Sequence, residues 1–184
     1  MFHFPPRRLV WLATCCLLMC NVHAQIQMPC DAGTSIAACQ CPANSLEGTQ
    51  VLNPPYAQRK YSSVFTNDHF GSRLDDTSNG GAWSSWSNSI GDWMEIDTGA
   101  PKNIVGVISQ GRHNVEQWIT RFTVQYRLDG NINVALSQTF LATDGSKKTH
   151  LLSVPIYARH VRITVGQFMN HVSMRAGLLV KACV

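Results

Sequence analysis

The stretch that decides the fold runs from Gly91 to Gly130 and reads GDWMEIDTGAPKNIVGVISQGRHNVEQWITRFTVQYRLDG. Near its start, Met94 and Ile96 alternate with Glu95 and Asp97. Successive side chains of a β-strand point to opposite faces, so this alternation predicts a strand with one buried face and one solvated face.

Two further strands are predicted in the same stretch. Residues Thr98–Pro101 read as a turn that ends the first strand. The β-branched run at 104–108 predicts a second strand, and the alternation at 119–128, closed by Asp129-Gly130, predicts a third. The polar segment 110–117 is the loop between these last two strands.

The rest of the chain continues in short β-rich segments separated by turn residues. Further strands are predicted at 46–52, 61–64, 134–140, 149–154, 161–165 and 174–183. The segment 77–91 is rich in Ser, Asn and Gly, which predicts a long loop. No amphipathic pattern is long enough for a helix of a dozen residues, so the spacing predicts an all-β protein built as an antiparallel β-sandwich.

An ordered set of motifs in this chain resembles the discoidin family, also called the coagulation factor five/eight type C domain. The motifs are Trp93–Gly99, Gly106–Arg112, Trp118–Gly130, Pro155–Ile163 and Met174–Cys183. The resemblance covers about residues 41–183. It implies the jelly-roll form of the β-sandwich, of the galactose-binding-like type.

Residues 1–24 have the organisation of a secretory signal peptide. Arg7 and Arg8 precede an apolar core at 9–20 that is too short to span a bilayer, and Val22-His23-Ala24 is a small-residue cleavage site. The alternative is a signal anchor that stays in the membrane, which the short core and the cleavage site disfavour. We therefore predict cleavage after Ala24 and a secreted, extracellular protein.

The charge balance disfavours a nucleic-acid-binding protein. Removing Arg7 and Arg8 lowers the basic residues from 15 to 13, against 11 acidic residues, which leaves a net charge of +2. A nucleic-acid footprint needs a clustered basic patch, and Lys147-Lys148 is too short a run to supply one. The 160 residues after Ala24 are enough for one domain with a proper core.

The cysteine count indicates disulfide bonds. Seven cysteines are present, and Cys15, Cys16 and Cys20 leave with the signal peptide. An even number in a secreted chain reads as disulfides, although the sequence alone leaves the pairing open. The cysteines that remain are Cys30, Cys39, Cys41 and Cys183.

The resemblance selects one pairing. Discoidin-type domains commonly tie a cysteine at the start of the domain to one at its end, which implies Cys41 with Cys183 and leaves Cys30 with Cys39. A zinc site at Cys39-x-Cys41 is disfavoured because a second ligand pair is lacking. We therefore predict a disulfide-stapled extension at 25–40 and a discoidin-like domain at 41–184.

The sequence lacks catalytic motifs. It contains no Gly-x-Ser-x-Gly, no His-Glu-x-x-His, no phosphate loop and no cysteine in a catalytic context. Asp75 and Asp76 form a carboxylate pair, but adjacent residues on a strand face opposite ways and such pairs are usually solvated. We therefore predict that the protein is not an enzyme.

Binding is the better prediction, because a rigid sandwich presents its loops together at one end. The resemblance implies three such loops, at 64–71, 75–88 and 111–117. Apolar rings beside hydrogen-bonding groups suit a sugar, whose C–H face stacks while its hydroxyls pair. The candidate ligand-binding residues are Phe65, Asn67, Asp68, His69, Phe70, Trp86, Arg112, His113 and Asn114. The alternative for Phe65 and Phe70 is that they only pack the first loop onto the sandwich.

Arg112 offers a planar fork of donors that suits vicinal hydroxyls, carboxylates or sulfates. Arg112-His113 in this place also resembles the collagen-binding discoidin receptors. The alternative for Arg112 is an internal ion pair that braces the loops. Its partners would be Asp75, Asp76 or Glu116.

The tryptophans and the acidic pair give four further expectations. The resemblance implies an aromatic inside the fold near Trp83, whereas Trp86 is expected to be exposed. Trp93 and Trp118 flank strands and are expected to pack in the core. A structural calcium ion is the one cofactor considered, with oxygen ligands from Asp75 and Asp76, although no contiguous calcium-loop motif is present.

These observations together predict a secreted, non-catalytic recognition module that binds cell-surface or matrix carbohydrate in cell adhesion. One alternative is a phospholipid-binding module that inserts Phe65, Phe70 and Trp86 into lipid; the other is a module that docks a protein such as a matrix fibre. The shortage of Lys and Arg in the loops disfavours strong attraction to anionic lipid.

Overall fold

The computed structural model describes residues 48–66, 69–130 and 134–182. Within these ranges, short 3₁₀ helices lie at Tyr56–Gln58 and Asn79–Gly81. The strands are β1 (Thr49–Leu52), β2 (Arg59–Tyr61), β3 (Trp83–Ser84), β4 (Trp93–Gln110), β5 (Trp118–Arg127), β6 (Val134–Leu141), β7 (Lys148–Met169) and β8 (Ser173–Lys181). No helix in the described part of the chain is long and apolar enough to cross a membrane.

The strands are antiparallel and follow one path in the order β1-β8-β4-β7-β5-β6, with β2 beside β4 and β3 beside β8. The first half of β4 pairs with the end of β7, and its second half pairs with the start of β7. Phe122 on β5 pairs with Val165 near the end of β7, yet its ring lies 5.0 Å from the ring of His150 near the start. The two halves of β7 therefore lie in facing layers, which confirms the predicted antiparallel β-sandwich.

Two predicted interruptions of the strands are wrong, because turn residues bend these strands without ending them. The predicted turn at Thr98–Pro101 lies inside β4, where Gly99 has a φ of 79° and the pairing with β7 shifts register. The predicted strands 149–154 and 161–165 are both parts of β7. Bulges of this kind carry a strand from one layer of a sandwich to the other. The predicted loop at 77–91 likewise contains the short strand β3.

The core lies between the layers and is built from the faces that the alternation predicts. Met94, Ile96, Phe122 and Val124 have no exposed surface. Trp83 is also completely buried, which confirms the expected internal aromatic.

The prediction that Trp93 and Trp118 pack in the core is wrong. Both are half-buried. Trp93 lies on the face of β4 opposite to Met94, and the Arg162 guanidinium stacks 3.8 Å from its ring centre. Trp118 packs beneath Gly145 at the base of the loops.

Glu95 faces away from the core, yet only 2% of its surface is exposed. Arg127 donates to one of its oxygens at 2.6 Å, and Arg162 donates to the other at 3.0 Å. The two long side chains cover the carboxylate, so an ion cluster closes part of the face that alternation assigns to solvent.

The first and last strands of the sandwich are neighbours, since β1 pairs with β8 and Thr49 lies opposite Lys181. This register places the first and last described strands of the domain side by side, which is compatible with a bond between Cys41 and Cys183. The signal peptide at 1–24 and the extension at 25–40 lie outside the described residues, as do all the cysteines of the implied bonds: Cys30, Cys39, Cys41 and Cys183. Both disulfides therefore stay predictions.

Candidate binding site

The three predicted loops meet at one end of the sandwich. Gly71 of the first loop donates its N–H to the Asn79 carbonyl of the second loop at 3.0 Å. His113 of the third loop donates its N–H to the Gly81 carbonyl of the second loop, also at 3.0 Å. The second loop is thus held between the other two by backbone hydrogen bonds.

Arg112 connects all three loops through its guanidinium. Its Nε donates to the Gly80 carbonyl at 2.9 Å, and its Nη1 donates to Gln117 Oε1 at 2.9 Å. Its Nη2 lies 3.1 Å from His69 Nε2. A guanidinium can only donate, so His69 Nε2 is the acceptor, and its proton is assigned to Nδ1, which lies 2.7 Å from Thr66 Oγ1.

The predicted alternative for Arg112, an ion pair with Asp75, Asp76 or Glu116, is wrong within the described residues. Its partners there are neutral oxygen and nitrogen acceptors. Asp75 forms an ion pair with Lys147 instead. Arg112 nevertheless braces the loops, as that alternative supposed, but through neutral groups.

Asp75 and Asp76, the candidate calcium ligands, already have partners on the protein. Asp75 is exposed and bonded to Lys147, while Asp76 accepts hydrogen bonds from the Tyr56 hydroxyl and from Ser78. Across the described ranges, His, Cys, Asp and Glu side chains form no group of three or more that could hold a metal ion. The calcium site stays a prediction.

Two exposed aromatic side chains stack on each other at the tip of this end. Phe65 is 37% exposed and Trp86 is 66% exposed, and their ring centres lie 5.7 Å apart at an interplanar angle of 28°. His69 and His171 meet the Phe65 ring edge-on at 5.3 and 5.5 Å. We call the Phe65–Trp86 pair the aromatic platform. The expected exposure of Trp86 is confirmed.

Three of the predicted ligand residues lie outside this platform: Phe70, His113 and Asn114. Phe70 is half-buried and packs edge-on against Tyr56 at 5.3 Å, as its structural alternative supposed. His113 is half-buried beside Gly81, and Asn114 is exposed with a φ of 56°. Two predicted residues fall outside the described ranges: Asn67 and Asp68.

A fourth segment, which sequence reasoning missed, also reaches the platform. It follows β7 and carries His171, and it is bonded to the second loop in both directions. Val172 donates its N–H to Asn88 Oδ1 at 2.8 Å, and Ser85 donates its N–H to the Val172 carbonyl at 3.1 Å. The sequence gives no motif for His171, because only the strand pairing brings this segment to the loops.

The platform is an open surface and not an enclosed pocket. A groove of about 410 Å³ lies at the opposite end of β8, between the ends of β1 and β8 and residues 101–103. It includes neither platform residue. A ligand of the platform would therefore bind across exposed rings, with polar groups at their edges.

Beneath the platform, Asp92 is 7% exposed and accepts several hydrogen bonds. Burial acts to raise its pKa, but donors from Ser85, Ser87, Ser89 and Ser62 outweigh burial and hold that pKa below its usual range. The signal for this residue was present in the sequence, as a serine-rich run followed by an acidic residue. By its composition alone, that run predicts only a loop.

A pH prediction follows from two carboxyl groups. Hydrogen bonds from Arg159 are the main cause that lowers the pKa of Asp97, and the serine donors lower that of Asp92. An unfolded Asp has a pKa of about 3.9. Because both folded pKa values lie below it, the unfolded chain binds protons first, so this stabilisation is complete above pH ~5 and is lost progressively as the pH falls below that value.

We expect the urea midpoint to fall between pH 5 and pH 3, and to fall less steeply in the Asp92→Asn and Asp97→Asn variants. Urea unfolding followed by circular dichroism at several pH values measures this dependence. An equal pH dependence in all three proteins would contradict the assignment.

Comparison with known proteins identifies the family. The model of the F5/8 type C domain matches residues 58–178. The chain belongs to the F5/8 type C, or discoidin, family. The resemblance inferred from the motifs is therefore confirmed.

Relatives of this F5/8 type C domain extend across most of the chain. Mouse (Mus musculus) retinoschisin is 27% identical over 188 residues, covering 92% of this chain and 83% of retinoschisin. Bovine (Bos taurus) lactadherin is 27% identical over 147 residues, covering 74% of this chain but 34% of lactadherin. This chain thus spans about a third of lactadherin.

Solved structures share the fold. Discoidin II from Dictyostelium discoideum superposes with a TM-score of 0.61 at 23% identity, covering 74% of this chain and 59% of that chain. The family 32 carbohydrate-binding module of C. perfringens NanJ, solved in complex with galactose, gives a TM-score of 0.55 at 14% identity, covering 71% and 98%. Both likenesses confirm the discoidin type of β-sandwich that the sequence resemblance implied.

Proposed function

We propose that this F5/8 type C domain is a secreted, non-catalytic recognition module that binds cell-surface or matrix carbohydrate through the aromatic platform and acts in cell adhesion. The observation that carries the proposal is the exposed stacking of Phe65 on Trp86, with the His171 imidazole at its edge. A sugar stacks its C–H face on such a ring while its hydroxyls pair with groups at the ring edge.

The fold is compatible with this ligand class. One neighbour in fold is solved as a complex with galactose, and another is a chitosan-binding module. An exposed pair of large rings is also costly to leave in water, and such patches commonly mark binding sites.

Phospholipid binding is the second candidate, because one more apolar side chain is exposed in the same loop. Ile90 is 68% exposed, four residues after Trp86. If the loop inserts into lipid, Ile90 contributes by area in the same way as Trp86. If the platform stacks on a sugar, Ile90 has no aromatic face to offer and its removal has little effect.

Binding to a glycan array and co-sedimentation with phosphatidylserine vesicles test the proposal. We expect Phe65→Ala and Trp86→Ala each to weaken array binding by about tenfold or more, since each removes a stacking face worth more than ~1 kcal/mol. Both assays are run with and without calcium, which also tests the predicted ion.

Leu141→Ala is the matched control, because Leu141 is 61% exposed on β6 and belongs to none of the three loops. We expect it and Ile90→Ala to leave array binding unchanged. Vesicle binding that is lost in Ile90→Ala and Trp86→Ala, with no glycan bound by the parent protein, would replace the carbohydrate proposal with the phospholipid one.

A further inference from the structure

The carboxylate of Asp92 lies under the aromatic platform and bonds to both segments that carry its rings. It accepts from Ser87 Oγ at 2.6 Å, from the Ser89 N–H at 2.9 Å and from Ser62 Oγ at 3.2 Å, and it also accepts from the Ser85 hydroxyl. Ser62 belongs to the segment before Phe65, whereas the other three serines belong to the loop of Trp86. One buried group therefore joins the two halves of the site.

We propose that Asp92 is the positioning residue of the recognition site, which fixes Trp86 against Phe65 without itself touching the ligand. Only the expected effect of Asp92 on glycan binding rests on the proposed function. The placement of the Trp86 ring by Asp92 is independent of what the ring binds.

The residues on both sides of Trp86 are tied to the same carboxylate. Ser85 and Ser87 each have a single hydroxyl proton, and both protons are donated to Asp92. Their oxygens therefore remain as acceptors for Ser63, whose Oγ lies 3.1 and 3.2 Å away and whose single hydroxyl proton can be donated to one of them at a time. Ser63 Oγ in turn accepts the Trp86 N–H at 3.1 Å.

The same network fixes the Phe65 side of the pair. Ser63 lies two residues before Phe65, and its carbonyl accepts the indole N–H of the buried Trp83 at 2.8 Å. Phe65 donates its N–H to the Ser84 carbonyl at 2.8 Å. The hydroxyl chain thus runs from the Phe65 segment through Ser63 to the flanks of Trp86 and ends on Asp92.

Replacing the carboxylate with an amide removes acceptors that the serine donors need. In Asp92→Asn one oxygen is replaced by an NH₂ group, which can only donate, so the serine donors can no longer all be accepted. The hydroxyls must then turn or leave, and the backbone around Trp86 loses its attachment to the Phe65 segment. We expect the ring to move freely in solvent.

The test uses the purified chain labelled with 5-fluorotryptophan, with the Trp86 signal assigned from the Trp86→Phe variant. In Asp92→Asn we expect that signal to narrow and to move toward the shift of the free amino acid, and amide exchange in residues 84–91 to rise at least tenfold. Exchange in β5 should not change. We also expect binding to the glycan array to weaken by about tenfold.

Asp97→Asn is the matched control, because Asp97 lies in β4, five residues after Asp92, and bonds to Arg159 and to the Gly99 N–H but to none of the three loops. It should leave the Trp86 signal unchanged. Ser87→Ala, which removes one donor, should shift the signal in the same direction by a smaller amount, and it serves if Asp92→Asn does not fold.

An unchanged Trp86 signal and unchanged exchange at 84–91 in both Asp92→Asn and Ser87→Ala would overturn the inference. The failure of the proposed function has a different signature. In that case Phe65→Ala and Trp86→Ala leave array binding intact, while the fluorine signal still reports whether Asp92 positions the ring.

Discussion

Replacing Arg59 with methionine is expected to lower the free energy of unfolding by about 3–5 kcal/mol. Arg59 is 6% exposed, and burial lowers the pKa of its guanidinium to about 10, so it remains charged at neutral pH. Its donors bond to four oxygens at 2.9 to 3.1 Å. The acceptors are Pro54 O, Ser72 O, Ala176 O and Asn53 Oδ1.

The cost arises from acceptors that lose their donor. Methionine fills much of the same volume but donates nothing. The Ser72 carbonyl and Asn53 Oδ1 keep the N–H donors of Ala176 and Leu74, so the cost centres on the Pro54 and Ala176 carbonyls, at about 1–3 kcal/mol for each buried carbonyl left unpaired. Arg59 also connects β2 to β8 and to the first loop, through the Ala176 and Ser72 carbonyls. The loss is therefore expected to affect the sandwich as a whole.

Urea unfolding of Arg59→Met beside Arg121→Met measures this effect. Arg121 is exposed on β5, and its replacement should change the free energy of unfolding by less than about 0.5 kcal/mol. Arg59→Lys should fall between the two, because an ammonium keeps the charge but lacks the planar fork. Equal stability of Arg59→Met and the parent would show that solvent replaces these bonds.

The sequence predicted best what depends on neighbours along the chain. Alternation at Met94 and Ile96 and at Phe122 and Val124 identified core faces, because side-chain direction in a strand is set locally. The motif order identified the family and the three loops. Trp86 was correctly expected to be exposed.

What the sequence did not predict depends on groups that only strand pairing brings together. Glu95 is covered by arginines from β5 and β7, so the outward position given by alternation did not mean exposure. The turn residues Thr98–Pro101 do not end β4. They bend it from one layer to the other, and β7 remains its partner strand on both sides of the bend. In both places the local sequence pattern correctly predicts which way the side chains point, but it does not predict which groups from other strands pack around them.

The same limit applies to the candidate site. The ligand-binding role of Arg112 stays a prediction. Its predicted alternative was an ion pair with a carboxylate, yet its partners within the described residues are a carbonyl, an amide oxygen and an imidazole from three loops. No spacing of residues in the sequence predicts that these groups from three loops contact Arg112. Its side chain holds the loops together, and the exposed rings of Phe65 and Trp86 lie at the same end of the sandwich.

Gly71→Ala is expected to destabilise the protein by about 3 kcal/mol and to remove glycan binding with it. A Cβ at Gly71 would lie 2.6 Å from the Ser78 carbonyl oxygen and 2.7 Å from the Asn79 oxygen. Both neighbours are backbone atoms, so no side-chain rotation relieves the contact and the second loop must move. Its Gly80 carbonyl, which accepts from Arg112, moves with it.

Gly130→Ala is the control that distinguishes the steric clash at Gly71 from the loss of stability that replacing any glycine can cause. Gly130 has a φ of 88° and no atom within 4 Å of its Cβ position, and it lies at the far end of β5. Its replacement should cost about 1–2 kcal/mol through backbone strain alone and leave array binding unchanged. Urea unfolding and array binding of both variants distinguish the cases. Gly71→Ala that binds glycans as well as the parent would show that the platform does not depend on the packing of the first loop against the second.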